Sequence, residues 1–413
     1  MNGPLLVTVV GAGPFTVALV DALAAAPDAS SAGARPIQLR LLGRDEETLA
    51  ALAVYAADRL DGVVSVGTDH GLLDGADVVL VQVRPGGSAG RIADEHLAAS
   101  LGVAADESLG LGGLRTVLRG APVLRGLAAE LLARCPDALV LVLTNPLSSF
   151  VAELTRSGLT AVGCCELPTV TACQAAEVLG LRTSELGWDY SGLSHRGFLH
   201  GLRGPDGTDR LPALVVALTA QGSRIGTVAA GDIASLGALP MKYHGLLRGT
   251  SSVHGRAAAV GSVRSDLRAE LLSAPRTRPG SLSARPTPWY EVMVAPVLRA
   301  LAGGASARLV LDLPSGDGLV REGWAVVDAR GVRPEPPSGA AVPAPAAGLI
   351  ATYEAQERAW AALLAAPGLS TLAAAVACDP AIPEAAAGAV VDALLPEALQ
   401  LAVQPVLSHW SAT

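Results

Sequence analysis

Aromatic side chains make up only 3% of this 413-residue chain and charged ones only 16%. Half of the residues are hydrophobic, so the core has to be built mainly from Ala, Val and Leu. The net charge is −8 and no segment or tail concentrates Lys or Arg, which argues against a nucleic-acid partner. Apolar runs such as Ala138–Leu143 fall far short of the ~20 residues that span a bilayer, so no membrane partner is expected. The first ten residues lack a basic leader and a cleavage pattern and run straight into a strand. Cysteine is scarce and odd in number, five in all, which argues against a disulfide framework and for a reducing compartment. No repeat of ~20–50 residues is present. These absences leave a cytoplasmic globular protein, and its length exceeds the ~250–300 residues at which a single core stops growing.

Leu5–Val10 is a continuous apolar run rich in β-branched residues, as expected for a strand buried on both faces. A helix is expected through Ala26, a second strand over Ile37–Leu42 and a helix over Glu46–Arg59. A strand at Ala76–Val83, a helix at Val117–Ala133 and a strand at Ala138–Thr144 come next. Such alternation predicts a Rossmann-type doubly wound α/β fold, a parallel sheet with ligands at the strand carboxyl ends. Beyond about residue 170 the alternation weakens. Strands are expected at Ala213–Leu218 and Ala325–Asp328, a Pro/Ala-rich extended connection over Arg333–Ala347, and helices over Leu349–Ala366 and Ala385–Ala402. The expected division is a dinucleotide-binding domain over 1–168 and an α+β domain for substrate, metal and oligomer contacts over 169–413.

At the end of the first strand stands Gly11-Ala-Gly13-Pro-Phe-Thr16. A strand, a Gly-x-Gly turn and a helix present backbone N–H groups and a positive helix end to a pyrophosphate. Thr16 occupies the place of the third glycine, so the motif alone is weak, and a tight turn without ligand remains an alternative. After the second strand, Gly43 stands where a ribose-binding acid is usual, followed by Arg44. Arg44 either meets a 2′-phosphate, favouring NADP over NAD, or is a solvated loop residue.

Further segments come in a fixed order: Gln82-Val-Arg84-Pro-Gly-Gly, Arg91-Ile-Ala-Asp94-Glu95, and Glu107-Ser-Leu-Gly110-Leu-Gly-Gly113. After them stand Thr144-Asn145-Pro146, Gly163-Cys-Cys165-Glu166-Leu-Pro168 and Asp189-Tyr-Ser-Gly-Leu-Ser-His195. With Gly11-Ala-Gly13, this ordered set resembles family 4 glycoside hydrolases, the NAD-dependent 6-phospho-α- and 6-phospho-β-glucosidases. The resemblance is strongest from Val7 to His195 and patchier beyond, where Leu313-Pro-Ser-Gly-Asp317 and Arg321-Glu322 are similar to a family segment. It implies a C-terminal domain like that of lactate and malate dehydrogenases.

The resemblance also implies NAD and one divalent ion, Mn²⁺ or another metal, held by Cys165 and His195 with sugar hydroxyls completing the sphere. A thiolate and an imidazole leave coordination positions open for substrate. The implied chemistry is redox-assisted elimination and addition, unlike the two-carboxylate scheme of most glycosidases. Tyr243, in Leu239-Pro240-Met-Lys-Tyr243, falls at the base, although Leu246 and Leu247 replace the aromatic pair that usually comes after it. Glu166 falls where a general acid can act on the leaving oxygen. Arg91 matches a 6-phosphate ligand, and Asn145 and Glu107 match substrate-orienting positions. Arg91 can instead pair with Asp94 or Glu95, and Asn145 can cap a turn.

The expected function is hydrolysis of 6-phospho-glycosides, β-acting by first expectation with α open, in a homodimer or homotetramer acting on a small sugar phosphate. Two other readings stand beside it. One is a binding protein that has lost catalysis, favoured by Gly43, Leu246-Leu247 and Leu109. The other is a 2-hydroxy acid dehydrogenase, for which the Cys165 segment would have no purpose.

Overall fold

The computed structural model describes residues 3–25, 33–60, 62, 64–248, 255–336 and 339–406. The first half runs β1 (Leu5–Val10), α1 (Thr16–Ala24), β2 (Ile37–Leu42), α2 (Glu46–Ala57), β3 (Val64–Gly67) and β4 (Val78–Val81). It continues with α3 (Gly87–Ser100), α4 (Gly110–Arg134), β5 (Leu139–Val142), α5 (Leu147–Arg156) and β6 (Thr160–Gly163). Then come α6 (Leu167–Val178), β7 (Gly187–Leu193), β8 (Arg196–Arg203), α7 (Leu211–Gln221), α8 (Ala230–Leu236), β9 (Leu239–Pro240) and α9 (His244–Leu247). The rest comprises α10 (Arg256–Ser273), α11 (Ala295–Leu301), β10 (Ala307–Pro314), β11 (Val320–Asp328) and β12 (Gly331–Pro334). Three helices close the chain, α12 (Ala344–Ala365), α13 (Leu369–Ala377) and α14 (Glu384–Val403).

The strands form one sheet in the order β3-β2-β1-β4-β5-β6-β10-β11-β7-β8-β9, with β12 beside β11. The first six pair in parallel, in the order that defines a doubly wound dinucleotide fold. From β10 onward pairing is antiparallel, as expected of an α+β second half. β1 is buried along nearly its whole length, because its alternate side chains feed two cores: Val10 packs with Val79, Val81 and Val142 on one face, and Val7 and Val9 with Leu39, Leu41 and Leu80 on the other. A third core joins α4 to the last three helices around Trp360.

One expected strand is a helix. Ala213–Leu218 lies inside α7, where Pro212 in the first turn and left-handed Gly222 at the end favour helical closure. Only Leu214 and Leu218 of that helix are buried, an i, i+4 pair that makes one helical stripe. The extended connection at 333–347 is also shorter than expected, since Arg333 and Pro334 end β12 and α12 begins at Ala344; Pro337 and Ser338 lie outside the described residues. Many elements have no counterpart in the sequence reading, among them α3, which carries Arg91, and β3, which pairs with β2. Among the described residues one helix, α14, is long and apolar enough to cross a membrane. Val390, Leu394, Ala398 and Leu401 bury one face of it, and Glu397 pairs with Arg115 of α4 at 2.5 Å.

Candidate active site

The Gly-x-Gly turn sits at the carboxyl end of β1, where strand order reverses between β1 and β4. Gly11 has φ 91°, and a Cβ there would lie 3.0 Å from the Gln82 carbonyl oxygen, so only glycine fits. Thr16, in the third-glycine place, fastens the turn: its Oγ1 accepts from the Gly13 N–H at 3.1 Å and from Gln82 Nε2 at 3.2 Å. Tyr290 in turn donates to Gln82 Oε1 at 2.7 Å. The turn is therefore held with its amides organised before any ligand arrives.

All eleven residues singled out from the sequence line a single cavity of about 1270 Å³. They are Gly11, Gly13, Thr16, Arg44, Arg91, Glu107, Asn145, Cys165, Glu166, His195 and Tyr243. Ligand pockets commonly measure ~300–1,000 Å³, so this one has room for a dinucleotide and a second small molecule.

Cys165 stands two residues past the end of β6, shortly before α6, and is buried. His195 is the second residue of the two-residue turn joining β7 to β8, with φ 65°. Glycine or asparagine would meet that demand more cheaply; a histidine held there points to a use for the imidazole. Its ring stacks on Tyr243, centroids 4.6 Å apart and planes 18° from parallel. Burial, with help from the Lys242 and Arg196 cations, lowers the His195 pKa to about 3, so the ring is neutral at physiological pH. Neither ring nitrogen has a hydrogen-bond partner among the described residues. Burial also pushes the Cys165 thiol well up, reinforced by Glu322, Glu166 and Asp312. Tyr243 is likewise raised by burial and then by Asp106, with Arg256 opposing. Lys242 Nζ lies 5.4 Å from the Tyr243 ring centroid.

Arg91 is buried on α3 and contacts Glu107 at 2.5 Å and Glu95 at 3.4 Å. Of its two candidate partners in sequence, Glu95 is the one it meets. Asp94 belongs instead to Arg115 and Arg119, at 3.0 and 2.7 Å. Glu107 also takes Arg84 at 2.5 Å. Burial raises the Glu107 carboxyl, but Arg84 and Arg91 outweigh it and hold it at about 2. The neighbouring Asp106, raised by burial and by Glu107, sits at about 6. Asn145 lies beyond the end of β5 and its side chain has no hydrogen bond among the described residues. Glu166 is the first flanking residue of α6 but does not cap it with its side chain.

Sequence reasoning missed several cavity residues. Arg256 and Arg264 of α10, together with Arg285 and Lys242, add four cations to the lining. Arg285 packs between Phe15 and Trp289, 5.0 and 5.4 Å from their ring centroids, and burial plus the Arg84 charge lowers it to about 10. The eight-residue spacing of Arg256 and Arg264 puts them on one helical face, a signal the sequence carried. Behind Cys165 lies a second missed group. Asp312 and Glu322 face each other across β10 and β11, both buried, and Tyr190 donates a hydrogen bond to Glu322.

A divalent ion fits the Cys165–His195 end by donor chemistry. The imidazole is neutral and unpartnered, as a ligand must be, and the thiol can lose its proton to a cation. Among the described residues no cluster of three or more His, Cys, Asp or Glu side chains is arranged to hold a metal. Cys165 and His195 are thus two candidate donors, and a pair leaves coordination positions open for substrate or water.

Residues 61–181 match the family model described as Family 4 glycosyl hydrolase. The 6-phospho-alpha-glucosidase 1 of Lacticaseibacillus paracasei is 33% identical over 142 residues, 33% of this chain and 32% of that protein. The 6-phospho-beta-glucosidase BglT of Thermotoga maritima is 29% identical over 159 residues, 37% of this chain and 38% of that protein. Over this segment the chain is similar to glycosyl hydrolase family 4. Its sequence match spans about a third of the length of these relatives. The fold match is wider. A 6-phospho-alpha-glucosidase from gut microorganisms, solved with NAD and Mn²⁺, superposes with a TM-score of 0.80 at 19% identity, covering 95% of this chain and 97% of that one. A Plasmodium falciparum malate dehydrogenase superposes at 0.52 and 10% identity, over 86% of this chain and 96% of that one. The chain thus has the dehydrogenase-like architecture expected from its sequence.

Proposed function

We propose that this protein hydrolyses 6-phospho-glycosides by redox-assisted elimination and addition, with a bound nicotinamide dinucleotide and one divalent ion. The observation that carries this reading is the convergence of the Gly11–Gly13 turn, Cys165, His195 and Tyr243 on one cavity. The relatives supply the substrate class: both 6-phospho-α- and 6-phospho-β-glucosidases match the chain, and solved neighbours hold NAD, Mn²⁺ and glucose-6-phosphate.

When bound, the two cofactors supply reversible hydride removal at a sugar carbon and Lewis-acid polarisation of the adjoining oxygens. The amides of Gly11–Gly13 and the start of α1 bind the dinucleotide pyrophosphate. Cys165 and His195 would hold the ion, with the His195 ring already neutral. Tyr243, stacked on His195, would be the base that takes a proton from the bound sugar. A tyrosine raised this far by burial is a base only beside positive charge, which Arg256 and Lys242 provide in part. Glu166 protonates the leaving oxygen. Arg91 and Asn145 orient the phosphorylated sugar, and Glu107 holds Arg91 and Arg84 in place.

The test is release of nitrophenol from 4-nitrophenyl 6-phospho-α- and β-glucosides, with Mn²⁺, a thiol and either dinucleotide. Cys165→Ser and His195→Ala variants run in parallel with a measurement of bound Mn²⁺. Turnover of either anomer that needs both dinucleotide and metal, and disappears in both variants, supports the reading. A folded protein that binds no Mn²⁺ and turns over neither glycoside sinks it in favour of a binding role.

A further inference from the structure

A dinucleotide whose pyrophosphate sits on the Gly11–Gly13 turn, as the proposed function requires, must place its adenosine end at the neighbouring strand. In a doubly wound sheet the adenosine ribose lies at the carboxyl end of the second strand, where an acid receives its 2′-hydroxyl or an arginine receives a 2′-phosphate. Here that end is closed to an acid. The N–H groups of Gly11 and Ala12 both donate to the Leu42 carbonyl, at 2.9 and 3.0 Å, and draw the next residue, Gly43, against the turn. A Cβ on Gly43 would lie 2.6 Å from the Ala12 carbonyl oxygen and 3.1 Å from Leu49 Cδ2. No carboxylate can be carried at that position without moving backbone.

The next acid along the chain is committed elsewhere. Asp45 caps α2, accepting from the Thr48 N–H and hydroxyl at 3.2 and 2.7 Å. Arg268 of α10 closes on both of its oxygens, at 2.6 and 3.2 Å, and reaches Glu47 at 2.7 Å. What remains facing the cavity is cationic. Arg44 lines it, and one helical turn before Arg268 stands Arg264, whose Nη2 lies 3.9 Å from the Cβ position of Gly13. Arg264 has no hydrogen bond or ion pair among the described residues. Burial and the neighbouring Arg84 and Arg44 charges lower its pKa, with Asp45 opposing, as expected of cations gathered close together.

We propose that this edge of the cavity is a 2′-phosphate site, built by Arg44 and Arg264, and that the protein binds NADP more tightly than NAD. A dianionic phosphate beside two guanidinium groups forms charge-assisted hydrogen bonds, which a ribose hydroxyl facing the same groups does not replace. The assignment rests on the dinucleotide reading of the same turn.

The experiment is a fluorescence titration of the full-length protein with NADPH and with NADH, without sugar substrate, so the readout is affinity and not turnover. Charge-assisted hydrogen bonds of ordinary strength predict NADPH binding tighter by about tenfold or more. Arg264→Gln should bring the ratio to within about threefold by weakening NADPH while sparing NADH, and Arg44→Gln should act the same way. Adenosine 2′,5′-bisphosphate should displace NADPH better than AMP does. Equal affinities in the unaltered protein overturn the proposal and leave the dinucleotide reading standing. Loss of NADH and NADPH binding by the same factor in Arg264→Gln overturns it too, because that is the signature of a pyrophosphate contact. Failure of both dinucleotides to bind the folded protein removes the cofactor reading, and this proposal with it.

Discussion

Replacing Asp312 by Asn should stabilise the protein increasingly as pH rises. Asp312 is fully buried in β10, in register with Glu322 of β11 and Gly163 of β6. Neither of its carboxylate oxygens has a hydrogen-bond partner among the described residues. Burial raises its pKa from 3.8 to about 7, with the Glu357 charge adding and the nearby Ser194 hydroxyl and Arg196 charge opposing. The same burial, with Asp312 beside it, raises Glu322 well above the usual range. Below the unfolded value the aspartate is protonated in both states and contributes nothing pH-dependent. Between that value and about 7, the unfolded chain releases a proton that the folded chain keeps, so stability falls with rising pH by about 1.4 kcal/mol per unit. From pH 5 to pH 8 this amounts to about 3 kcal/mol. An asparagine of the same shape stays neutral throughout and removes that slope. Unfolding entropy of roughly 2 cal/mol/K per residue converts the difference into about 3 °C for a chain of this length. The assay is thermal or denaturant unfolding of both proteins in EDTA at pH 5, 6, 7 and 8. The expected result is a stability difference that grows in favour of Asp312→Asn across the series. A difference that stays constant, or grows in favour of the unaltered protein, refutes the assignment of a buried neutral carboxyl at this position.

Three other substitutions probe the cavity itself. His195→Asn keeps a residue that tolerates φ 65°, so the melting temperature should hold within about 2 °C while Mn²⁺ affinity, read by electron paramagnetic resonance, drops at least a hundredfold, on the order of the largest losses seen for metal-site changes. Tyr243→Phe retains the stack on His195 and should lower kcat by about 10²–10⁴, with Mn²⁺ and dinucleotide affinities unchanged; a smaller loss gives the proton to another group. Gly43→Ala places a methyl 2.6 Å from the Ala12 carbonyl oxygen and should cost about 1–3 kcal/mol in denaturant unfolding, so an unchanged midpoint would show that the β2 end can yield.

Legibility of the sequence tracked the range of the forces involved. The parallel half was readable because strands buried on both faces need nearly continuous apolar runs, and Leu5–Val10, interrupted only by Thr8, is one. α7 was misread because Val215 and Val216 suggest a strand, while the deciding signals, Pro212 at its start and Gly222 at its end, lie outside the apolar run. Short β3, with every residue only half-buried, leaves little pattern to read. The site residues singled out from ordered motifs all line the cavity, since each motif marks a turn or strand end that a ligand approaches. Groups brought in by tertiary contact were not legible. Gly163 precedes the Cys164-Cys165 pair in an obvious motif, yet its purpose is visible only in space. A Cβ there would lie 2.7 Å from the Cβ of Asp312, a residue 149 positions later by the numbering of the register pair Asp312↔Gly163. Gly197 serves the same end, because a side chain on it would strike the Tyr190 hydroxyl that reaches Glu322. The two glycines and the two acids therefore form one arrangement: space cleared between strands so that protonatable groups stand directly behind Cys165. Hydrophobic periodicity says nothing about such a cluster, because its members are polar, buried and far apart in the chain. That is also why the cations of α10 escaped notice. Arg264 and Arg268 stand in no motif, and only the fold sets one against Gly13 and the other against Asp45.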